Sequence, residues 1–481
     1  RSLVGSEMCI RDRAMFQPTG PHLSLPTASS VIDAVRDPTS VVFNLDGYQV
    51  LAACDLPLGG RRVSAVANSV EAACPDCGVV STRVHQRTRQ KVKDLGVGGK
   101  DIELVIINPR FPCAEAACAR RTFTQVTDQL PFRARCTARL KAAAVEAVLD
   151  EGMPIWRTCA RYQLGWATIN TAVTADALTI PAPDMVPVRA LGIDEHRFAR
   201  AKWFKHPETA QWCRVEPWMS TFVDADTGHI LGVVDGRSSA NITRWLKQRS
   251  QAWLEQLQVV AIDPSSAFRN AVRQVLPAVE ISVDHWHVVR LGNQMLTEVR
   301  QRVTREVLGR RGRKEDSVWA HRMLLLRAGD RLTDAGLHRL EQVFDDEDYE
   351  QVAAAWAVKE RLRALLAARD IPAVQNARID FEMAVAAADM AETDKLAATV
   401  GNWWTEIKVF VRTQVTNART ESANTGIKQI KRTGRGFRNQ KNYQSRILGT
   451  SVRQTRRRRR IPHQQGCLLY TSDAADDTPC V

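Results

Sequence analysis

The chain has 481 residues, 67 lysines and arginines against 53 acids, and a formal net charge of +14. Hydrophobic residues make up 44% and charged residues 25%, which excludes wholesale disorder and fills the cores of about three domains at roughly 150 residues each. The longest unbroken apolar run, VAAAWAV at 352–358, is far shorter than the roughly 18–20 residues that span a bilayer, so no membrane partner is expected. The positive excess points instead to a polyanion, most economically nucleic acid. Eleven cysteines are too few for a disulfide scaffold, and a cytoplasmic, reducing compartment is expected.

In chain order, residues 1–14 come first. The stretch RSLVGSEMCIRDR has no apolar h-region and does not read as a signal peptide. It resembles translated adapter sequence, as does CLLYTSDAADD at 467–477, which makes Met15 the expected start and sets Cys9, Cys467 and Cys480 aside. Residues 15–65 are a Pro/Ser-rich lead-in that turns apolar. Residues 66–130 read as a strand-rich, cysteine-bearing module. Charge alternates over 88–92, β-branched residues crowd 102–108, and Gly96, Gly98 and Gly99 can turn the chain between them.

Residues 131–180 read as three helices. An apolar run at 142–148 is stopped by Gly152 and Pro154, a second helix starts near Ile155, and Gly165 precedes a third at 166–173. Over 186–290, short apolar runs lie at 188–193, 218–223, 230–234, 259–262 and 279–283. Helical patterns at 241–254 and 268–275 separate the last three, so a mixed α/β sheet is expected. Residues 291–416 hold nothing strand-like and read as an all-helical block. Residues 417–450 are a closing helix and basic segment, and 451–481 a basic tail that runs into the adapter-like end.

Two cysteine pairs stand in the first module, Cys74 with Cys77 and Cys113 with Cys118. Thiolates this close on turns can face one ion, and two such pairs complete a tetrahedral zinc shell; the alternative is four buried or free thiols. His85 is a spare candidate ligand or a surface residue. The helices over 137–173 fit a helix-turn-helix, with Arg157, Arg161, Trp166 and Asn170 able to meet phosphate or bases, although any small three-helix unit would look alike.

Three acids in the second half stand out. Asp194 ends the run RALGID, Asp263 ends LQVVAID, and Glu421 lies in the helical segment NARTESANTGIKQIKR. Carboxylates at adjacent strand ends converge at one sheet edge, where divalent cations can be held, yet a lone strand-end Asp is more often a turn or cap. At 100° per residue, Lys428 and Arg432 fall within about 20° of Glu421 and Asn417 within about 40°. Ala423, Ile427 and Ile430 take the far side. That face suits a metal ligand beside a phosphate backbone, or an ordinary solvated helix.

The ordered set CPDC, CAEAAC, GIDEHRF, VVAIDPSSAFRNAV, VDHWHVV and TESANTGIKQIKRTGRGFRNQKNYQSRIL resembles bacterial ISL3-type insertion-sequence transposases over residues 70 to 450. The resemblance implies an RNase H-like α/β core with a large helical insertion, preceded by a zinc module and a helix-turn-helix. It implies a catalytic triad of Asp194, Asp263 and Glu421 holding two Mg²⁺ or Mn²⁺ ions, with Asp284 and His287 in support. It further implies one structural zinc, and terminal inverted repeats and target DNA as partners of a homodimer or higher oligomer in the nucleoid. DNA-contacting residues would be Arg157, Arg161, Asn170, Lys428, Lys431 and Arg432. The other readings are a non-catalytic DNA-binding regulator and a nuclease without strand transfer. A tyrosine recombinase built on Tyr443 with Arg438 and Arg446 is the least favoured.

Overall fold

A computed structural model describes residues 37–460, with side chains to residue 456. The expectations for Met15, Cys9, Cys467, Cys480 and the two adapter-like ends lie outside the described residues. The described chain divides after Leu140 into two compact units.

In the first unit, helix α1 (Pro38–Phe43) is capped by Asp37, whose carboxylate accepts from Thr39 N at 2.9 Å. The strands are β1 (Tyr48–Asp55), β2 (Arg61–Ala67), β3 (Ala72–Ala73), β4 (Val80–Ser81), β5 (Gln86–Val97), β6 (Lys100–Pro112) and β7 (Thr122–Thr124). A five-stranded sheet runs β1-β2-β6-β5 with β7 on β6, and β2–β6 is its parallel pair. Burial alternates along β6, whose Ile102, Leu104 and Ile106 face Val63, Ala65 and Val92 in the core. Gly98 and Gly99 turn β5 into β6 at φ 61° and 74°, the left-handed pair that a tight hairpin demands. The segment read as a lead-in supplies β1 and β2, so this sheet begins well before residue 66. Most of β1 is solvent-exposed and its apolar pattern is weak, because pairing with β2 rather than burial defines it.

In the second unit, α2 (Ala138–Leu149), most of which belongs here, is followed by α3 (Ile155–Tyr162) and α4 (Trp166–Ala177). Next come β8 (Ala190–Arg197), β9 (Lys202–Lys205), β10 (Trp212–Val215), β11 (Trp218–Asp224), β12 (Ile230–Asp235), α5 (Ser239–Lys247), α6 (Gln251–Gln256), β13 (Val259–Ile262), α7 (Ser266–Val275) and β14 (Glu280–Val283). The sheet order is β12-β11-β8-β13-β14, antiparallel through β8 and parallel beyond it. The helices between β12 and β14 are the crossovers that parallel strands require. The single helix expected at 241–254 is two, because the Ser250 hydroxyl accepts from Trp253 N and starts α6 afresh. The β9–β10 hairpin was not foreseen. Its residues are largely exposed and carry no buried stripe.

The remaining elements are helical: α8 (His285–Leu308), α9 (Ser317–Ala320), α10 (Arg322–Leu326), α11 (Asp334–Phe344), α12 (Glu350–Ala367), α13 (Ile371–Ala388), α14 (Ala391–Asn402), α15 (Trp404–Thr413), α16 (Ala418–Thr433) and α17 (Gln440–Arg460). One hydrophobic core runs from the sheet (Ile193, Val260, Ile262, Ile281) into this block (Val299, Val358, Leu362, Phe410). Helix α15 packs on β14, and α16 on β8. Among the described residues no helix is long and apolar enough to cross a membrane.

Candidate active site and zinc centre

The register of the second sheet brings three aspartates into one row. Ile193 pairs with Ile262, and Ile262 with Val283, so Asp194, Asp263 and Asp284 each stand one residue past these parallel pairs. Asp194 does not end its strand, as the sequence suggested. Pairing with β11 carries β8 on to Arg197, and only the parallel partnership stops at Ile193. Asp284 is buried and caps α8 by accepting from Trp286 N at 2.9 Å.

Helix α16 lies against this row because Gly192 lets it approach. A Cβ there would stand 2.0 Å from Thr420 Oγ1 and 3.1 Å from Asn417 Oδ1. Asn417, the α16 N-cap, donates to Asp263 Oδ1 at 3.0 Å and to Ile193 O at 3.3 Å. One helical repeat on, Asn424 donates to Asp194 Oδ2 at 2.6 Å. Sequence reasoning used Asn417 only as a point on a helical face and passed over Asn424. Their spacing of seven, on the face that carries buried Thr420 and Ile427, is the signal that could have found them.

His287, one turn into α8, ties the acids together. Its Nε2 is 3.0 Å from Asp263 Oδ2, and its Nδ1 lies 3.8 Å from Glu421 Oε1 and 4.0 Å from Asp284 Oδ2. The potential ligand atoms of Asp263, Asp284 and His287 lie within 4.8 Å of one another, with Asp194 and Glu421 beside them. Burial and the Asp263 charge push the Asp194 carboxyl up to about 6. Burial and the Asp284 charge push Glu421 up to about 7. Burial alone would lower His287, but its bond to Asp263 and the surrounding carboxylates prevail and raise it. Crowded carboxylates that resist ionisation, beside a buried Nδ1 with no hydrogen-bond partner, are the donor set a hard divalent cation satisfies.

The basic candidates differ in setting. Lys428 and Arg432 are exposed on α16, whereas Lys431 is folded back, donating to Arg197 O at 2.7 Å. Arg157 and Arg161 are exposed on α3, and Arg161 meets Glu151 at 3.1 Å. Asn170 and Trp166 line a cavity of about 380 Å³ with Trp156 and Phe437. Tyr443 is fully buried among Phe198, His196 and Phe437, so its hydroxyl cannot attack DNA from where it stands, and Arg446 is buried and donates to Met153 O rather than facing a phosphate.

In the first unit, Cys74, Cys77, Cys113 and Cys118 form a cluster. The Cys74–Cys118 and Cys77–Cys113 sulfur separations are 4.0 and 3.5 Å, bracketing the ~3.8 Å edge of a tetrahedron with ~2.3 Å zinc–sulfur bonds. The first pair sits on a tight turn closed by Gly78 N to Cys74 O at 2.8 Å, and an Asp76–Arg120 ion pair at 2.7 Å ties it to the second. Burial opposes ionisation of Cys74, yet the backbone amides of Asp76 and Cys77 bring its thiol down to about 7. These thiols fit zinc. His85 is exposed and outside the cluster.

Residues 191–447 match the family model of the ISL3-type DDE transposases, described as a transposase. The chain belongs to this family. Within it, residues 71–118 match the zinc-finger of the transposases IS204, IS1001, IS1096 and IS1165, which spans the four-cysteine cluster. The chain is also 23% identical over 377 residues, 76% of its length and 86% of the relative's, to the transposase for insertion sequence element IS1001 of Bordetella parapertussis. The transposase match covers the aspartate row, the helical block and α16.

Proposed function

We propose that this transposase binds the terminal inverted repeats of an insertion sequence, cuts the DNA at their ends and joins the freed ends to target DNA. Asp194, Asp263 and Glu421 are the catalytic carboxylates, and Asp284 and His287 position them. The observation that carries this reading is the row itself. Two aspartates follow one parallel register pair, and an imidazole links one of them to Glu421 from a helix about 160 residues farther on. The strand order, with α16 laid on β8, supports an RNase H-like core whose helical block is an insertion. The helices over 131–180 are read as a helix-turn-helix that meets DNA through Arg157, Arg161 and Asn170. Lys428, Arg432 and, once released from Arg197, Lys431 are read as phosphate contacts beside the site.

Two Mg²⁺ ions held by the triad would stabilise charge on the attacking and leaving oxygens of an in-line displacement. The protein's own part is positional. Asn417 and Asn424 hold one oxygen each of Asp263 and Asp194, while Glu195 N donates to the other oxygen of Asp194 at 2.6 Å and His287 Nε2 meets that of Asp263 at 3.0 Å, so both carboxylates are fixed in orientation. His287 holds Asp263 through its Nε2 and faces Glu421 with its Nδ1 at 3.8 Å, an attraction of charge rather than a hydrogen bond. Water displaces the 3′-oxygen at the element end, and the freed 3′-hydroxyl then displaces a 3′-oxygen of target DNA, so phosphodiester bonds are conserved in the joining step. With DNA as substrate, the nucleoid of the cytoplasm is the expected place of action.

The test is incubation of the full-length protein with labelled element ends and Mg²⁺. Nicks at the repeat ends followed by joined products are expected. Binding without cleavage would leave a DNA-binding regulator, and cleavage without joining a nuclease.

A further inference from the structure

The far end of α8 carries a second concentration of charge that the acidic row does not use. Arg300 and Arg305 of α8, Arg311 of the loop after it, Trp319 of α9 and Arg322 of α10 line a cavity of about 350 Å³ that no carboxylate enters. The acids nearby are engaged elsewhere. Asp316 accepts from Arg310 at 2.8 and 2.9 Å and from Arg313 N at 2.6 Å, and Glu306 pairs with Arg302 at 3.1 Å.

Arg300 is the deciding residue. It is 9% exposed, and among the described residues its guanidinium has neither a hydrogen bond nor an ion pair. A guanidinium offers five donors, and those of Arg300, lining the cavity without a protein acceptor, are left for water or a bound anion. Burial, with the charges of Arg322 and Arg311 added, pulls its pKa down. The neighbours are held in place. Arg322 lies 3.7 Å over the Trp319 ring and donates to Trp319 O at 2.9 Å. Gly312 brings the loop so close that a Cβ would stand 3.0 Å from Trp319 Cδ1 and 3.2 Å from Thr304 Cγ2, which sets Arg311 at the rim.

We propose that this cavity is a phosphate-binding site, in which the guanidinium groups of Arg300, Arg305, Arg311 and Arg322 converge on one phosphate-bearing anion. Planar forks match phosphate oxygens two at a time, and four around one cavity suit a multiply charged group. The phosphate belongs to the DNA backbone or to a free polyphosphate. The site stands on this geometry alone and does not depend on the acidic row.

The test titrates tripolyphosphate into the full-length protein, and in parallel measures binding of an unrelated duplex across a salt series. Arg305→Gln/Arg311→Gln changes two exposed side chains and should weaken tripolyphosphate binding at least about tenfold, whereas the charge-matched Arg339→Gln/Arg361→Gln should keep it. Arg300→Met should lose the rise in Tm that tripolyphosphate gives the wild type. If the phosphate is DNA's, the salt slope of duplex binding falls by about two in the Arg305/Arg311 variant. An unchanged slope assigns the site to a free polyphosphate. Equal tripolyphosphate affinity in the Arg305/Arg311 variant, equal loss in the charge-matched control, or a Tm rise kept by Arg300→Met would overturn the proposal.

Discussion

Asn424 donates its side-chain amide to Asp194 at 2.6 Å, across 230 residues of chain, and so fixes α16 to the central strand of the sheet. A hydrogen bond to a charged group is worth about 1.5–3 kcal/mol, a factor of roughly ten to a hundred and fifty in rate if it acts in the transition state. Asn424→Ala should therefore slow cleavage of element ends by about that factor while end binding stays unchanged. Asn424→Asp should be slower still, since it sets a second carboxylate against Asp194. Wild-type cleavage by both variants would remove Asn424 from the positioning set.

Asp194→Ala, Asp263→Ala and Glu421→Ala should each abolish cleavage and leave end binding nearly intact, because lysines and arginines rather than carboxylates make phosphate contacts. Asp284 is different, since it also caps α8. Asp284→Ala should cost about 1 kcal/mol of stability in addition to activity. Asp284→Asn should keep the cap and the Tm and lower only the rate. Cleavage retained by Asp263→Ala and lost by Asp284→Asn would exchange the two roles.

Protons would compete with a divalent cation held by the row. Folded-state values of about 6 for Asp194 and about 7 for Glu421 lie above those of an unfolded chain, so the folded protein binds more protons between about pH 4 and 7. Without divalent metal these two groups make stability fall as pH rises through that window. Asp194→Asn/Glu421→Gln should thus have a Tm above wild type at pH 7.5 and close to it at pH 4.5. Mn²⁺ should raise the wild-type Tm at pH 7.5 and leave the variant unmoved. A pH-independent difference between the two proteins would refute the linkage.

The chain should hold about one zinc, seen by elemental analysis of protein purified without chelator. Cys74→Ser/Cys113→Ser should lose it. Arg120→Ala, which cuts only the exposed tie to Asp76, should keep it. Zinc content unchanged in the double cysteine variant would disprove the assignment.

Gly192→Ala should destabilise the protein and remove cleavage together, since the new methyl meets Thr420 Oγ1 at 2.0 Å and forces α16 off β8. Adding Thr420→Ala removes that conflict and leaves Asn417 Oδ1 at 3.1 Å and the Cβ of residue 420 at 3.3 Å, so Tm and cleavage should partly return. Full activity in Gly192→Ala alone would show that the contact is not needed.

Much of this molecule is written locally. Short β-branched runs ended where the parallel strands end at Ile262 and Val283, and the cysteine spacings placed two pairs on turns, because alternation and turn chemistry act over a few residues. The motifs around Asp194, Asp263 and Glu421 were enough to suggest the family that the match over 191–447 establishes. What local pattern could not supply was register and approach. That Asp194 and Asp263 stand level depends on Ile193 pairing with Ile262, a choice made by the core on both faces of the sheet. The same limit hid the edge strand β1, the bonds from Asn417 and Asn424, the capping role of Asp284, and the unpaired charge of Arg300. Each of these depends on a partner from another element or, for Arg300, on the lack of one. Side-chain periodicity can say which face a residue takes, but only packing between distant segments decides what that face meets.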